Sequence, residues 1–134
     1  MKDNIFIDSN ICLYLLSDEY KKKNIAKDIL LLNSFISTQV ISENINVIYK
    51  KLKHLSKTEI EDHIILIKKN AEVILIEIET INTAISIKDK YQLQWYDSLI
   101  VAAALQANCT ILYSEDMQHG FIVEGTLTIV NPFV

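Results

Sequence analysis

Short apolar runs alternate with amphipathic stretches from one end of the chain to the other. Asn4 to Ile7 is an apolar run closing on Asp8, the pattern of a buried strand. Ile11, Cys12, Leu15 and Leu16 follow at helical spacing, with Ser9 or Asn10 able to cap them. Lys21, Lys22 and Lys23 form a charged break before a second helix carrying Ile25, Ile29 and Leu32. Phe35 to Ser37 is too short for a helix and predicts a second strand. Between Gln39 and Lys53, Val40, Ile41, Val47, Ile48 and Leu52 share one broad helical arc, with Glu43 on its border. Ser56 to Glu59 has the spacing of a capping box ahead of Ile60, Ile64 and Ile67. Val73 to Ile76 predicts a third strand, and Ile81, Ala84 and Ile85 a further helix. Asp97 opens the apolar helix Leu99–Leu105, Thr110 to Tyr113 a fourth strand, and Leu127 to Val130 a fifth, stopped by Asn131 and Pro132.

Strands separated by helices predict an α/β fold. The expected form is one domain, a three-layer α/β/α sandwich around a mainly parallel sheet of four to five strands. The 134 residues fit that single unit, large enough to fold without a disulfide or structural metal. No internal repeat, low-complexity tract or linker divides it. His54 and His63 fall on amphipathic helical stretches and receive no chemical role.

Charge narrows the partners. The net charge of -4 argues against a broadly basic nucleic-acid coat, although not against a local basic groove. All 13 basic residues other than histidine are lysines. Without arginine, no planar fork is available for phosphate or guanine, and lysine must hold phosphate as a point charge. Cys12 and Cys109 lack metal-ligand spacing and read as reduced core thiols. With no apolar run of signal-peptide or membrane-spanning length, a soluble, cytoplasmic protein without a membrane partner is expected.

The candidate chemistry is acidic. In a parallel sheet the ligand crevice lies beyond the carboxyl ends of the strands. Asp8 and Asp116 follow such ends, Asp97 can face the same edge from its helix, and Glu43 can reach in from the side. Taken singly, each acid could equally be a cap, a turn residue or a solvated surface group. Packed together they would repel, and a divalent cation resolves the conflict. All-oxygen ligands favour Mg²⁺ or Mn²⁺, which can activate water and neutralise charge on a phosphodiester.

Four motifs, in this order and spacing, carry a family resemblance. DSN at Asp8–Asn10, STQVISENINVIYKK with Glu43, YDSLIVAAAL with Asp97, and YSEDMQHG with Asp116 together resemble the PIN domain, most closely the VapC-type toxins of type II toxin–antitoxin pairs. The likeness spans nearly the whole chain, including the closing IVNPF. It implies that Asp8, Glu43, Asp97 and Asp116 are the catalytic, metal-binding acids. It further implies a Mg²⁺- or Mn²⁺-dependent endoribonuclease that cuts structured RNA such as tRNA or rRNA by in-line hydrolysis. A cognate VapB-type antitoxin and a homodimer are the implied partners. Ser9 stands where that family often has threonine. The competing readings are a PIN-like nuclease acting on DNA and a non-catalytic RNA- or protein-binding module.

Around the acids, Ser9, Asn10 and Ser114 could hold water or phosphate, Glu115 could be an auxiliary ligand, and His119 could protonate a leaving group. Lys21, Lys22, Lys23, Lys50, Lys51 and Lys53, together with Lys68 and Lys69, are candidate contacts to the RNA backbone. Trp95 and Tyr96 could stack on a base, with core packing as the simpler role.

Overall fold

The computed structural model describes residues 3–134. Its centre is β1 (Ile5–Ile7), three residues with every side chain buried. Successive strand residues point to opposite faces, so full burial means that the sheet is covered on both sides. α1 (Ser9–Leu13) leaves β1 directly and ends in a 3-10 turn, Tyr14–Leu16. The cap is Asp8, whose side chain accepts from Ser9 N, and not Ser9 or Asn10.

α2 (Tyr20–Leu30) begins ahead of the three lysines expected to break the chain. A lysine run is compatible with helix, and here it lies within the first turns of α2. β2 (Ser34–Ser37) follows, and Ser37 caps α3 (Thr38–Lys51) by accepting from Val40 N at 3.3 Å. α3 stops short of His54, which lies in the connection to α4 (Lys57–Asn70). The Ser56–Glu59 capping box is present with both of its reciprocal bonds.

The third strand, β3 (Ala71–Ile74), starts two residues earlier than the expected Val73. Pairing with β2 sets that register, with Ser34 opposite Ala71 and Ser37 opposite Ile74. α5 (Ile78–Tyr91) and α6 (Trp95–Gln106) pack on each other, and the short link between them starts at a left-handed residue, Gln92. In α6 every residue from Ser98 to Ala104 is buried, so the helix is apolar around its circumference. Trp95 packs beside Ala84, Leu99 and Ala102, whereas Tyr96 is exposed.

β4 (Ile111–Tyr113), β5 (Ile122–Val123) and β6 (Leu127–Val130) complete a six-stranded sheet of order β3-β2-β1-β4-β6-β5. β5 alone runs antiparallel and adds one strand to the expected number. The chain leaves β1 toward β2 and β3 on one side, then returns to β4 on the other. This places the carboxyl end of β1 at the point where the strand order reverses, where open parallel sheets form their ligand crevice. Asp8 is the first residue beyond that end. No helix among the described residues is long and apolar enough to cross a membrane.

Candidate metal centre

The backbone fixes Asp8 before its side chain does anything. Asp8 N donates to Tyr113 O at 3.0 Å, and Ser114 N donates to Val130 O at 3.0 Å, so both strands remain in register one residue past their ends. The Asp8 carboxylate is 5% exposed and is surrounded by donors. Oδ1 accepts from Ser9 N at 2.7 Å, and Oδ2 from Ser114 Oγ at 2.8 Å and Asn10 Nδ2 at 3.3 Å.

The same short side chains reach the other acids. Ser9 Oγ donates to Glu43 Oε1 at 3.0 Å, with a longer contact of 3.4 Å to Asp8. Asn10 Nδ2 also donates to Asp116 Oδ2 at 3.0 Å, while Asn10 Oδ1 accepts from Glu115 N at 3.2 Å. Ser114 Oγ accepts from Asp116 N and Met117 N, each at 3.3 Å, and so closes the turn that carries Asp116. Ser9, Asn10 and Ser114 therefore hold the acids in place. Asp97 lies in the first turn of α6, behind the Gln94 cap, where a carboxylate suits the helix N-terminus. Its carboxylate takes no hydrogen bond among the described residues.

The charges of these groups bear on one another. Burial pushes Asp8 up to about 6, against the pull of Ser114 and Ser9, with Glu43 and Asp97 adding to the rise. Burial likewise raises Asp97, helped by Asp116 and then Glu43. Glu43 thus acts on both Asp8 and Asp97, and Asp116 acts on Asp97. Among the described residues, no three His, Cys, Asp or Glu side chains form a ready-made cage for an ion. The donors still fit a hard divalent cation. They are oxygens only, Asp97 has lone pairs free of protein donors, and the mutual repulsion is what a cation would relieve.

Two candidates are turned elsewhere. Glu115 accepts from Tyr14 OH at 2.6 Å and pairs with Lys22 at 2.9 Å. Burial raises its carboxyl, but Tyr14 and Lys22 outweigh that and leave it below its ordinary value. Lys22 also lies 5.0 Å from the ring centres of Tyr14 and Phe133, which meet edge to face. Glu115 is accordingly a tether for the Asp116 turn, and Lys22 is occupied. His119 accepts from Asn131 N through Nδ1 at 2.9 Å and lines a cleft with Ile25 and Asn131. The structure does not bring it to the acids. Lys51 lines a cleft with Asn10 and Tyr14, while Lys21 and Lys23 stand on α2 and Lys50 and Lys53 are exposed near the end of α3.

The sequence reading missed a buried support. Asn44 and His63 are both almost fully buried, and His63 Nε2 meets Asn44 Oδ1 at 2.9 Å. Asn44 Nδ2 donates to Ser9 O at 3.2 Å and Val40 O at 3.0 Å, so α4 braces α1 through α3. The signal was present: Asn44 lies four residues from both Val40 and Ile48, a polar residue on the buried face of its helix.

A parallel α/β domain with an acidic crevice at its switch point is the class that fold and site define. No curated protein sequence matches the chain. The PIN domain family model does, over residues 5–120, and the chain belongs to the PIN domain family. Solved structures share the fold at low identity. A toxin–antitoxin complex from Klebsiella pneumoniae superposes with a TM-score of 0.72 at 18% identity, covering 96% of this chain and 97% of that one. VapBC2 from Rickettsia felis, bound to a DNA fragment from its promoter, gives 0.67 at 16%, covering 94% and 96%. VapC20 of Mycobacterium tuberculosis, a toxin that cleaves the sarcin–ricin loop, gives 0.64 at 13%, covering 84% and 89%.

Proposed function

We propose that this PIN domain is a metal-dependent endoribonuclease of the VapC toxin type, cutting structured RNA and held in check by a VapB-type antitoxin. The observation that carries the reading is the Asp8 carboxylate. It is buried at the sheet's switch point and raised to about 6 in a crevice shared with Glu43, Asp97 and Asp116. A carboxylate kept there at such a cost is accounted for by a cation partner. Family membership and the fold shared with toxin structures support the same conclusion.

Asp8, Glu43, Asp97 and Asp116 would hold Mg²⁺ or Mn²⁺. Such an ion, when bound, lowers the pKa of water and neutralises charge developing on a phosphodiester. The chain's own residues set the stage. Asn10 spaces Asp8 from Asp116, Ser9 orients Glu43, and Ser114 shapes the turn. Lys51, which lines a cleft with Asn10, would meet the RNA backbone as a point charge, with Lys50 and Lys53 near it in the sequence. A homodimer and a cytoplasmic setting belong to this reading.

Purified protein incubated with total RNA, and in parallel with DNA, in Mg²⁺, Mn²⁺ or EDTA tests it, beside Asp97→Asn. Discrete RNA cuts with 5′-phosphate ends are expected. EDTA should abolish them, and Asp97→Asn should slow them by about 10²–10⁴-fold. Folded protein that cuts no RNA with either ion would refute the assignment. Cutting of DNA alone would move it to the other polymer.

A further inference from the structure

A cavity of about 570 Å³ opens beside the acids, with Asp97 and Asp116 on its wall. It lies between the α5–α6 connection and the turn after β4, and is lined also by Gln94, Met117, Gln118 and Phe121. Its size falls in the ordinary range for a small-molecule subsite, about 300–1,000 Å³. Its chemistry is mixed in a particular way. Gln94 and Gln118 are exposed, and neither side-chain amide is engaged by another described residue. Met117 is buried and Phe121 half-buried, so a wall that is polar over much of its surface also carries apolar side chains and an aromatic ring. Phe121 is set by the Tyr91 ring, edge-on at 5.6 Å between centres and 89°.

An aromatic ring with apolar neighbours accepts the face of a nucleobase, and free carboxamides read its edge. A glutamine amide presents one donor and one acceptor side by side, the pair with which glutamine meets N6 and N7 of adenine. The only charged groups on the lining are the two acids. Phosphate would therefore sit out toward the metal centre and the uncharged base would enter. We propose that this cavity seats the base of a nucleotide flanking the cut phosphodiester, with Gln94 and Gln118 reading its edge and favouring adenine. The proposal rests on the nuclease reading for the position of the phosphate, and on the cavity alone for the binding of the base.

Two measurements separate those dependencies. The first titrates the full chain with each of the four nucleoside monophosphates while side-chain NMR signals of Gln94, Gln118, Met117 and Phe121 are followed. Shifts confined to these residues are expected, largest with adenosine monophosphate and reduced at Met117 and Phe121 in Gln94→Ala and Gln118→Ala. No shift with any nucleotide at millimolar concentration overturns the subsite. The second compares cleavage of short RNAs that differ only in the base beside the cut. The wild type is expected to prefer adenine there, and the double variant Gln94→Ala/Gln118→Ala to lose about tenfold of that preference while still cutting. Cleavage with an unchanged base preference overturns the proposal and leaves the nuclease standing. Nucleotide binding without any cleavage would sink the nuclease and keep the subsite.

Discussion

His63 and Asp8 pull the stability of the metal-free protein in opposite directions as pH changes, and one substitution separates them. Burial drives the His63 imidazole down to about 4 from 6.5. Burial, with Glu43 and Asp97, drives Asp8 up to about 6 from 3.8. Between pH 6.5 and 4 the unfolded chain takes up a proton at His63 that the folded one refuses, so acidification costs about 1.4 kcal/mol per unit. Between pH 6 and 3.8 the folded chain takes up a proton at Asp8 that the unfolded one does not, so acidification stabilises at the same rate. From pH 7.5 to 5.0 the two integrate to a loss of about 2 kcal/mol at His63 and a gain of about 1.4 kcal/mol at Asp8.

The wild type should therefore change little over that interval. His63→Gln keeps an N–H donor toward Asn44 Oδ1 and removes the titration. The variant should gain about 1.4 kcal/mol on going to pH 5.0. Urea unfolding at the two pH values in EDTA measures it. Saturating Mg²⁺ should abolish the gain, because an ion on Asp8 competes with the proton. Wild type and His63→Gln responding in parallel would refute the reasoning, since His63 would then titrate alike folded and unfolded.

Asn10→Ala removes the bridge between Asp8 and Asp116, and should weaken Mn²⁺ binding or cleavage by about 10–100-fold with the fold intact. Calorimetric titration of the ion checks it. Ser56→Ala should cost about 1 kcal/mol in urea unfolding through loss of the α4 cap, with cleavage unaffected. Cys12 and Cys109 are buried, and burial pushes each thiol up to about 12. Both should resist iodoacetamide at pH 8 until the protein is unfolded.

Much of this was legible along the chain because the signals are local. Asp8 directly follows an apolar run, the Ser56 box lies within four residues, and α6 is a continuous apolar stretch. β3 was misplaced because Leu75 and Ile76 prolong its apolar pattern, whereas its register is imposed by β2, far away in sequence. β5 is two residues long and exists only through its pairing with β6. The order of the acids could be read, but not the hydroxyls and amides that stand between them. Which face Ser9, Asn10 or Glu115 presents depends on contacts up to 106 residues distant. Lys22 shows the same limit, since its partner lies 93 residues away.

Ser114 gives the crevice a means of telling a proton from a metal ion. Its hydroxyl spends its one hydrogen on Asp8 and receives the amides of Asp116 and Met117. A proton arriving on Asp8 would face a donor already in place, Ser9 N–H at one oxygen and Ser114 at the other. A protonated carboxyl accepts those bonds more weakly than a carboxylate does, which lessens the hold on Ser114 and through it on the turn bearing Asp116. A bound cation would neutralise the same charge while Asp8 stayed a carboxylate, a full acceptor for each of those donors. Acid and metal are thus unequal ways of discharging Asp8: the first weakens the hold on that turn, and the second would keep it.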